Sequence, residues 1–217
     1  MNWAIFSDVH GNYEALTCFI DSTKFEVDGY LCLGDIVGYG PNSNECVERI
    51  MELSNLQIVA GNHENLFLGD GELDSALPLV QEFHQFSSKS FRHKETIKKF
   101  PETLEFYNYE CSHTINKMRI YKNSDLEISK NHIIGHTHQQ FERKIGNFKI
   151  INPGSVGQNR EWINMVDFAI YDSEQDYFHF RSIEYNFDDY YKKMLDFDYS
   201  INCLDYYKNK KIYKYLI

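Results

Sequence analysis

A chain of 217 residues with 22 Lys and Arg against 32 Asp and Glu carries a formal charge of −10. Its 42% hydrophobic and 25% charged residues fit one globular domain that buries roughly 70% of its unfolded surface, which excludes disordered, collagen-like and coiled-coil chains. The negative excess argues against nucleic-acid partners and membrane surfaces, yet a small phosphorylated substrate stays open because bound divalent cations reverse the local field.

Uninterrupted apolar runs reach only four residues, at 3–6, 30–33 and 168–171, so neither a transmembrane helix nor a signal-peptide core is predicted. Five cysteines (Cys18, Cys32, Cys46, Cys111, Cys203) with no Cys-x-x-Cys pair point to reduced thiols in a cytoplasmic setting. In chain order, residues 3–7 read as a buried strand and Asn12 as the cap of a helix with Ala15, Leu16, Phe19 and Ile20 on one stripe. A second strand at 30–33 ends at Gly34. The next helix opens at Pro41-Asn42, where Asn42 and Glu45 have capping-box spacing and Cys46, Val47, Ile50 and Met51 form the stripe. Residues 56–60 make a third strand, so the first third is βαβαβ with parallel strands and right-handed crossovers.

From 66 to 100 the period turns helical, with Leu79, Phe83 and Phe86 on one face. Short β-rich segments follow at 104–109, 110–112, 132–134, 141–145, 148–151, 168–171 and 177–185. Helices at about 187–195 and 201–207 close the chain. The domain expectation is one unit, 1–217, with a helical insertion at 66–100 near the site and C-terminal helices within 187–217. The fold class is α/β, a two-part sheet with helices on its outer faces.

Polar clusters follow the first three strands: Asp8-Val9-His10, Gly34-Asp35 and Gly61-Asn62-His63-Glu64. Equal intervals of 27 residues separate Asp8, Asp35 and Asn62. One βα unit of that length returns to the same sheet edge, so all three clusters face the crevice at the carboxyl ends of the strands. His113 and Gly135-His136-Thr137-His138 follow two later strands. Asp8, His10, Asp35, Asn62, His113, His136 and His138 are seven candidate ligands offering carboxylate, imidazole and amide oxygen, the mix that borderline divalent metals accept. Seven exceed what one catalytic ion needs and suit two ions about 3.5–4 Å apart sharing a carboxylate, a recurring arrangement for phosphoester hydrolysis. Any one of these fragments alone is an ordinary structural or surface residue; their order and spacing set them apart.

Together with Gly34-Asp35-Ile36-Val37-Gly38, these residues resemble the calcineurin-like metallophosphoesterase superfamily. More narrowly, CLGDIVGYGP at 32–41 and INPGSVGQ at 151–158 resemble its small bacterial and archaeal phosphodiesterase-type branch. The resemblance runs from about residue 1 to 172. It implies a four-layer αββα sandwich of two mixed sheets. It implies two divalent ions, manganese first, with iron, zinc, nickel or cobalt as alternatives. Asp8, His10, Asp35 and His138 would hold one ion, and Asp35, Asn62, His113 and His136 the other. His63 would be the non-ligand histidine that protonates the leaving oxygen or stabilises the transition state, and a water or hydroxide between the ions the nucleophile.

Protein phosphatases of the superfamily carry Gly-Asp-x-x-Asp-Arg-Gly, whereas Gly38 and Tyr39 stand where that Asp-Arg pair would be. That argues against a protein phosphatase and leaves open what orients His63. Glu64 reads equally as support for the site or as a solvated helix-start acid. The turn at 152–160 offers backbone donors and Arg160 to a substrate phosphate, with a structural turn and a surface arginine as the alternative. His84, His93, His132 and His179 belong to no motif. The expected function is a two-metal phosphodiesterase or phosphatase acting on a small phosphorylated compound. A dinucleoside polyphosphate hydrolase with the same site, or a non-catalytic scaffold of the same fold, is the alternative. A homo-oligomer surface is expected, if anywhere, on Tyr190, Tyr191, Tyr206 and Tyr207, against plain packing of those rings.

Overall fold

Strand β1 (Asn2–Phe6) carries its apolar run because both of its faces are covered. Trp3 and Ile5 enter one apolar cluster while Ala4 and Phe6 enter another, the alternation of a strand inside a layered fold. The computed structural model describes residues 1–71 and 73–214. Glu72, within the helical insertion, and the last three positions of the C-terminal segment lie outside the described residues.

Helix α1 (Tyr13–Thr23) begins as expected, with the Asn12 side chain accepting from the Ala15 N–H at 3.0 Å. It leads to β2 (Gly29–Cys32), and helix α2 (Ser43–Met51) leads to β3 (Leu56–Ile58); both strands continue the parallel ladder from β1. The expected capping box of α2 is not formed. The Asn42 side chain makes no capping bond, and the neighbouring Ser43 hydroxyl instead accepts from the Gly38 N–H at 3.2 Å.

Helices α3 (Asn62–Leu68), α4 (Pro78–Ser87) and α5 (Lys94–Ile97) fill the insertion, with a 3-10 turn at Leu73–Ser75. Then come β4 (Thr103–Phe106), β5 (Tyr109–Ser112), β6 (Asn131–Ile133), β7 (Gln140–Ile145), β8 (Phe148–Pro153), β9 (Met165–Asp172) and β10 (Tyr177–Glu184). The break between β4 and β5 falls at Tyr107-Asn108, earlier than the sequence suggested, because Tyr107 turns the chain at φ +53°. Helices α6 (Phe187–Asp196) and α7 (Ile201–Lys208) close the chain.

The first sheet runs β10-β9-β1-β2-β3 and the second β4-β5-β6-β8-β7. Each is mixed: antiparallel β9 and β10 extend the first, and β4 and β7 flank the parallel β5, β6 and β8 of the second. Between them lies a core of Ile5, Leu31, Leu33, Cys111, Ile133, Ile151, Tyr171 and Phe178, where burying each large apolar side chain contributes about 2 kcal/mol. Helices cover the far face of the first sheet, with Leu16, Phe19, Val47, Ile50, Tyr190 and Tyr207 in that layer.

The fourth layer, over the second sheet, is an irregular segment within 114–130 rather than a helix. Ile115, Ile120, Leu126 and Ile128 pack there on Ile134, Phe141 and Ile150, while Asn116 and Lys117 at φ +52° and +58° prevent a continuous helix. Tyr190 and Tyr207 are fully buried and share a hydroxyl hydrogen bond of 2.8 Å, so these two pack within the chain, while Tyr191 and Tyr206 are half-buried. Among the described residues no helix is long and apolar enough to cross a membrane.

Candidate metal centre

The loops that leave β1 and β2 and the one that follows β6 carry the polar clusters, and they do so in an uncommon backbone state. Asp8, His10, Asp35, Tyr39, His136 and His138 all have φ between +51° and +70°. Each such residue costs about 1 kcal/mol, and the loops hold one another in place. Asp8 N–H donates to Gly34 O at 3.1 Å, His10 N–H to Asp35 O at 2.9 Å, and Gly157 N–H to Asp8 O at 3.0 Å.

The side chains converge. His138 Nε2 lies 3.2 Å from Asp8 Oδ1 and 3.2 Å from His10 Nε2. His113 Nε2 lies 3.1 Å from Asp35 Oδ2, and His136 Nδ1 is 2.8 Å from Asn62 Oδ1. His10 Nε2 joins the halves, 3.6 Å from Asp8 Oδ1 and 3.8 Å from Asp35 Oδ2. Asp8, His10 and His138 form one potential metal-holding group, Asp35, His113 and His136 another, and His10, Asp35 and His63 a third that overlaps the other two. All seven residues singled out in the sequence therefore meet in one place.

The donor atoms are prepared for cations. The Nδ1 atoms of His113 and His138 lie 2.7 and 2.8 Å from the Leu33 and Gln158 carbonyls, and that of His10 lies 3.3 Å from Val37 O. Those carbonyls only accept, so Nδ1 carries the hydrogen and Nε2 faces the centre. Asp8 Oδ1 and His113 Nε2 are buried without a well-directed hydrogen bond and face only cluster atoms, His138 Nε2 at 3.2 Å and Asp35 Oδ2 at 3.1 Å, an arrangement that a shared cation would satisfy better. Burial alone would raise the two carboxyls, but the surrounding histidines hold Asp8 and Asp35 below the usual carboxylate range. Burial lowers His138 to about 4. It would lower His113 too, but the Asp35 carboxylate beside it raises that imidazole to about 10. A cation is thus favoured between these groups, and anionic carboxylates with facing imidazoles are the donor set that a divalent pair takes.

Glu64 is fully buried and is no solvated acid. Its carboxylate accepts from the N–H groups of Asp35 and Gly61, both at 2.7 Å, Ile36 at 2.8 Å and Val37 at 3.3 Å. It thereby fixes the loop that presents Asp35 and ties it to the start of α3. Burial and the Asp35 charge raise its pKa against the pull of those backbone donors.

The turn after β8 follows the structural alternative. Its donors are spent inside the fold: Val156 N–H on Ser7 O at 3.0 Å, Gln158 N–H on Ser155 Oγ at 2.8 Å, and Ser155 Oγ–H on Asp8 O at 2.8 Å. The turn braces the Asp8 loop and leaves no backbone cradle for phosphate. Arg160 is exposed, and its Nη1 donates to the Tyr206 hydroxyl of α7 at 2.6 Å. Its charge pulls the Tyr39 phenol down against burial, which still raises that group to about 12. Sequence reasoning missed Tyr39 and Tyr206 as neighbours of the site; only the Gly38-Tyr39 departure from the phosphatase pattern marked that position.

The family model of the calcineurin-like phosphoesterase superfamily domain matches residues 1–176. The chain belongs to that superfamily. An uncharacterized protein of Methanocaldococcus jannaschii is 30% identical over 88% of this chain and 91% of its own length. The crystal structure of a metallophosphoesterase from Sphaerobacter thermophilus superposes with a TM-score of 0.76 at 24% identity, covering 94% of this chain and 97% of the other. A hypothetical protein from Pyrococcus horikoshii OT3 reaches a TM-score of 0.80 at 15% identity, covering 94% and 96%. Both share the fold.

This phosphoesterase-superfamily chain also shows what stands in for the missing Asp-Arg pair. Gly38 lies at φ +96°, and a Cβ built on it would sit 2.3 Å from His63 Nδ1. The His63 ring occupies the volume that an aspartate at 38 would need. It is wedged between His10 and Tyr39, at ring-centroid distances of 4.7 and 5.0 Å, while its backbone N–H donates to Asp35 Oδ1 at 2.8 Å. Packing orients this histidine in place of a carboxylate.

Proposed function

We propose that the chain is a hydrolase that uses two divalent metal ions to cleave a phosphodiester of a small compound. The observation that carries this reading is the convergence of the seven candidate ligands around one buried centre, with His63 beside them, which we read as a non-ligand. Asp8, His10, Asp35 and His138 would hold one ion, and Asp35, Asn62, His113 and His136 the other, with manganese as the ion proposed. Ions held there would supply Lewis acidity and lower the pKa of bound water.

The chain's own groups do the rest. Burial lowers His63 to about 3, which keeps its ring neutral. Its Nδ1 has no hydrogen-bond partner, so the neutral ring would offer Nε2–H to the leaving oxygen as a hydrogen-bond donor that steadies its developing charge. Arg160 would present a planar fork to a phosphate oxygen at the rim, steadied by Tyr206. The five cysteines are free thiols, which supports a cytoplasmic setting.

The test is hydrolysis by metal-stripped protein reloaded separately with Mn²⁺, Fe²⁺, Co²⁺, Ni²⁺, Zn²⁺ and Mg²⁺. Substrates are p-nitrophenyl phosphate, its bis ester and a dinucleoside tetraphosphate. Turnover of the bis ester that requires metal, and that falls on the order of 10²-fold in His63→Ala, supports the reading. Faster cleavage of the tetraphosphate would replace the diester with an anhydride. Two bound ions with no turnover of any substrate would turn the reading to a scaffold.

A further inference from the structure

Arg160 is a long side chain at the surface, and among the described residues it is in no ion pair. An arginine of this kind samples many rotamers, and fixing it for a ligand costs entropy. This one is fixed in advance. Its Nη1 donates to the Tyr206 hydroxyl at 2.6 Å, and Tyr206 O–H in turn donates to Gln158 Oε1 at 3.3 Å. Gln158 is buried, and its Nε2 donates to the Tyr207 hydroxyl at 2.9 Å, which also accepts from Tyr190 O–H at 2.8 Å. The relay therefore runs from the surface into the packed interior of α6 and α7. It also touches the metal centre twice. The Gln158 carbonyl lies 2.8 Å from His138 Nδ1. The Tyr206 ring lies near-parallel to that of Tyr39 at 6.4 Å, and Tyr39 packs on His63 at 5.0 Å. The Arg160 charge is felt there: burial lowers His138 against the pull of Asp8, and Arg160 adds to the fall.

We propose that Tyr206 and Gln158 are positioning residues, a relay that holds Arg160 ready for a substrate phosphate at the metal centre. The inference rests on the hydrolase reading above and adds what prepares its anion contact. A guanidinium carries five N–H donors in one plane. Anchoring Nη1 on a phenol leaves the others for the paired hydrogen bonds that a phosphate takes. Donation runs one way along the relay, since Arg160 can only give, Tyr206 takes and gives, and the Gln158 oxygen takes. An ordered arginine then meets the anion without first losing its rotamer freedom. Helix α7 lies beyond the span that the family model matches, so Tyr206 comes from outside that pattern.

The test reads phosphate binding and turnover separately. In the metal-loaded protein, calorimetric titration with inorganic phosphate should show affinity lowered roughly fivefold in Tyr206→Phe and in Gln158→Met. The first keeps the ring against Tyr39 and the second keeps the carbonyl at His138, so metal affinity should hold in both. For bis-p-nitrophenyl phosphate both should raise KM by a similar factor at unchanged kcat, because the contact acts alike on bound substrate and transition state. Placed on Arg160→Ala, either change should add nothing, whereas a residue that only packs would add its own effect. Phosphate affinity unmoved in either variant, a full effect in the Arg160→Ala background, or a matching fall in metal affinity overturns the relay. Ester turnover alongside any of those three results leaves the hydrolase reading intact. Phosphate binding that depends on all three residues, without hydrolysis of any ester under any metal, overturns the hydrolase reading and leaves the relay standing.

Discussion

A side chain at position 38 and the ring of His63 compete for one volume, since a Cβ there would approach Nδ1 to 2.3 Å. Gly38→Ala should therefore push the imidazole out of line, and at φ +96° it also strains the loop that carries Asp35, so metal content must be read beside activity. The expected result is a loss of kcat on the order of 10²-fold, close to that of His63→Ala, with metal content by elemental analysis unchanged. Activity near that of the unaltered protein would show that the ring does not need this seat. Glu64 is the second such residue. In Glu64→Gln an amide N–H₂ must face backbone N–H groups where a carboxylate oxygen now accepts from two of them. Leaving such groups unpaired costs about 1–3 kcal/mol, and the loosened Asp35 should weaken metal affinity roughly 10- to 100-fold. Calorimetric metal titration together with urea unfolding would read both.

At the scale of elements, strand β9 carries a charge problem of its own. Asp167 is buried in it, accepting from Asn159 Nδ2 at 2.7 Å and Ser182 Oγ at 2.6 Å. Burial raises its pKa from 3.8 to about 6. Because the folded value is the higher, the stability contribution is whole below the unfolded pKa and is lost as the pH rises through 6. Above that the strand holds a carboxylate anion that the unfolded chain would keep hydrated. Asp167→Asn removes this titration, and the Ser182 hydroxyl can rotate to accept from the new amide. Between pH 4 and pH 8 the variant should gain about 3 kcal/mol relative to the unaltered chain, measured by urea unfolding in chelator. A difference that stays flat with pH would show that Asp167 is already solvated or paired.

The centre belongs to neither sheet by itself. Asp8, His10, Asp35 and Asn62 come from the ends of β1, β2 and β3, while His113, His136 and His138 follow β5 and β6. Ions bound there would be held by both halves of the molecule, and their binding would then be folding free energy. With free metal about 100-fold above Kd the native state gains about 2.7 kcal/mol, which for a chain of this size raises Tm by roughly 5–10 °C. That rise should appear in the unaltered protein and shrink in Asp35→Asn. An equal rise in both would place the stabilising ions elsewhere.

The donors, their order and their even spacing were legible in the sequence because each follows a short apolar strand, and a βα unit of constant length brings strand ends back to one edge. The caps at Asn12 and the face of Phe83 were legible for the same reason: they are local patterns set by neighbours three or four residues away. What the tertiary structure decided is what depends on approach between distant segments. The His63 ring over Gly38, the burial of Glu64 under the Asp35 loop and the reach of Tyr206 to Arg160 leave no periodic trace in the chain. Nor does an irregular segment, rather than a helix, covering the second sheet. Hydrophobic periodicity records which face of an element is buried; which partner buries it, and which polar atoms are left facing one another, is settled only when the two sheets pack.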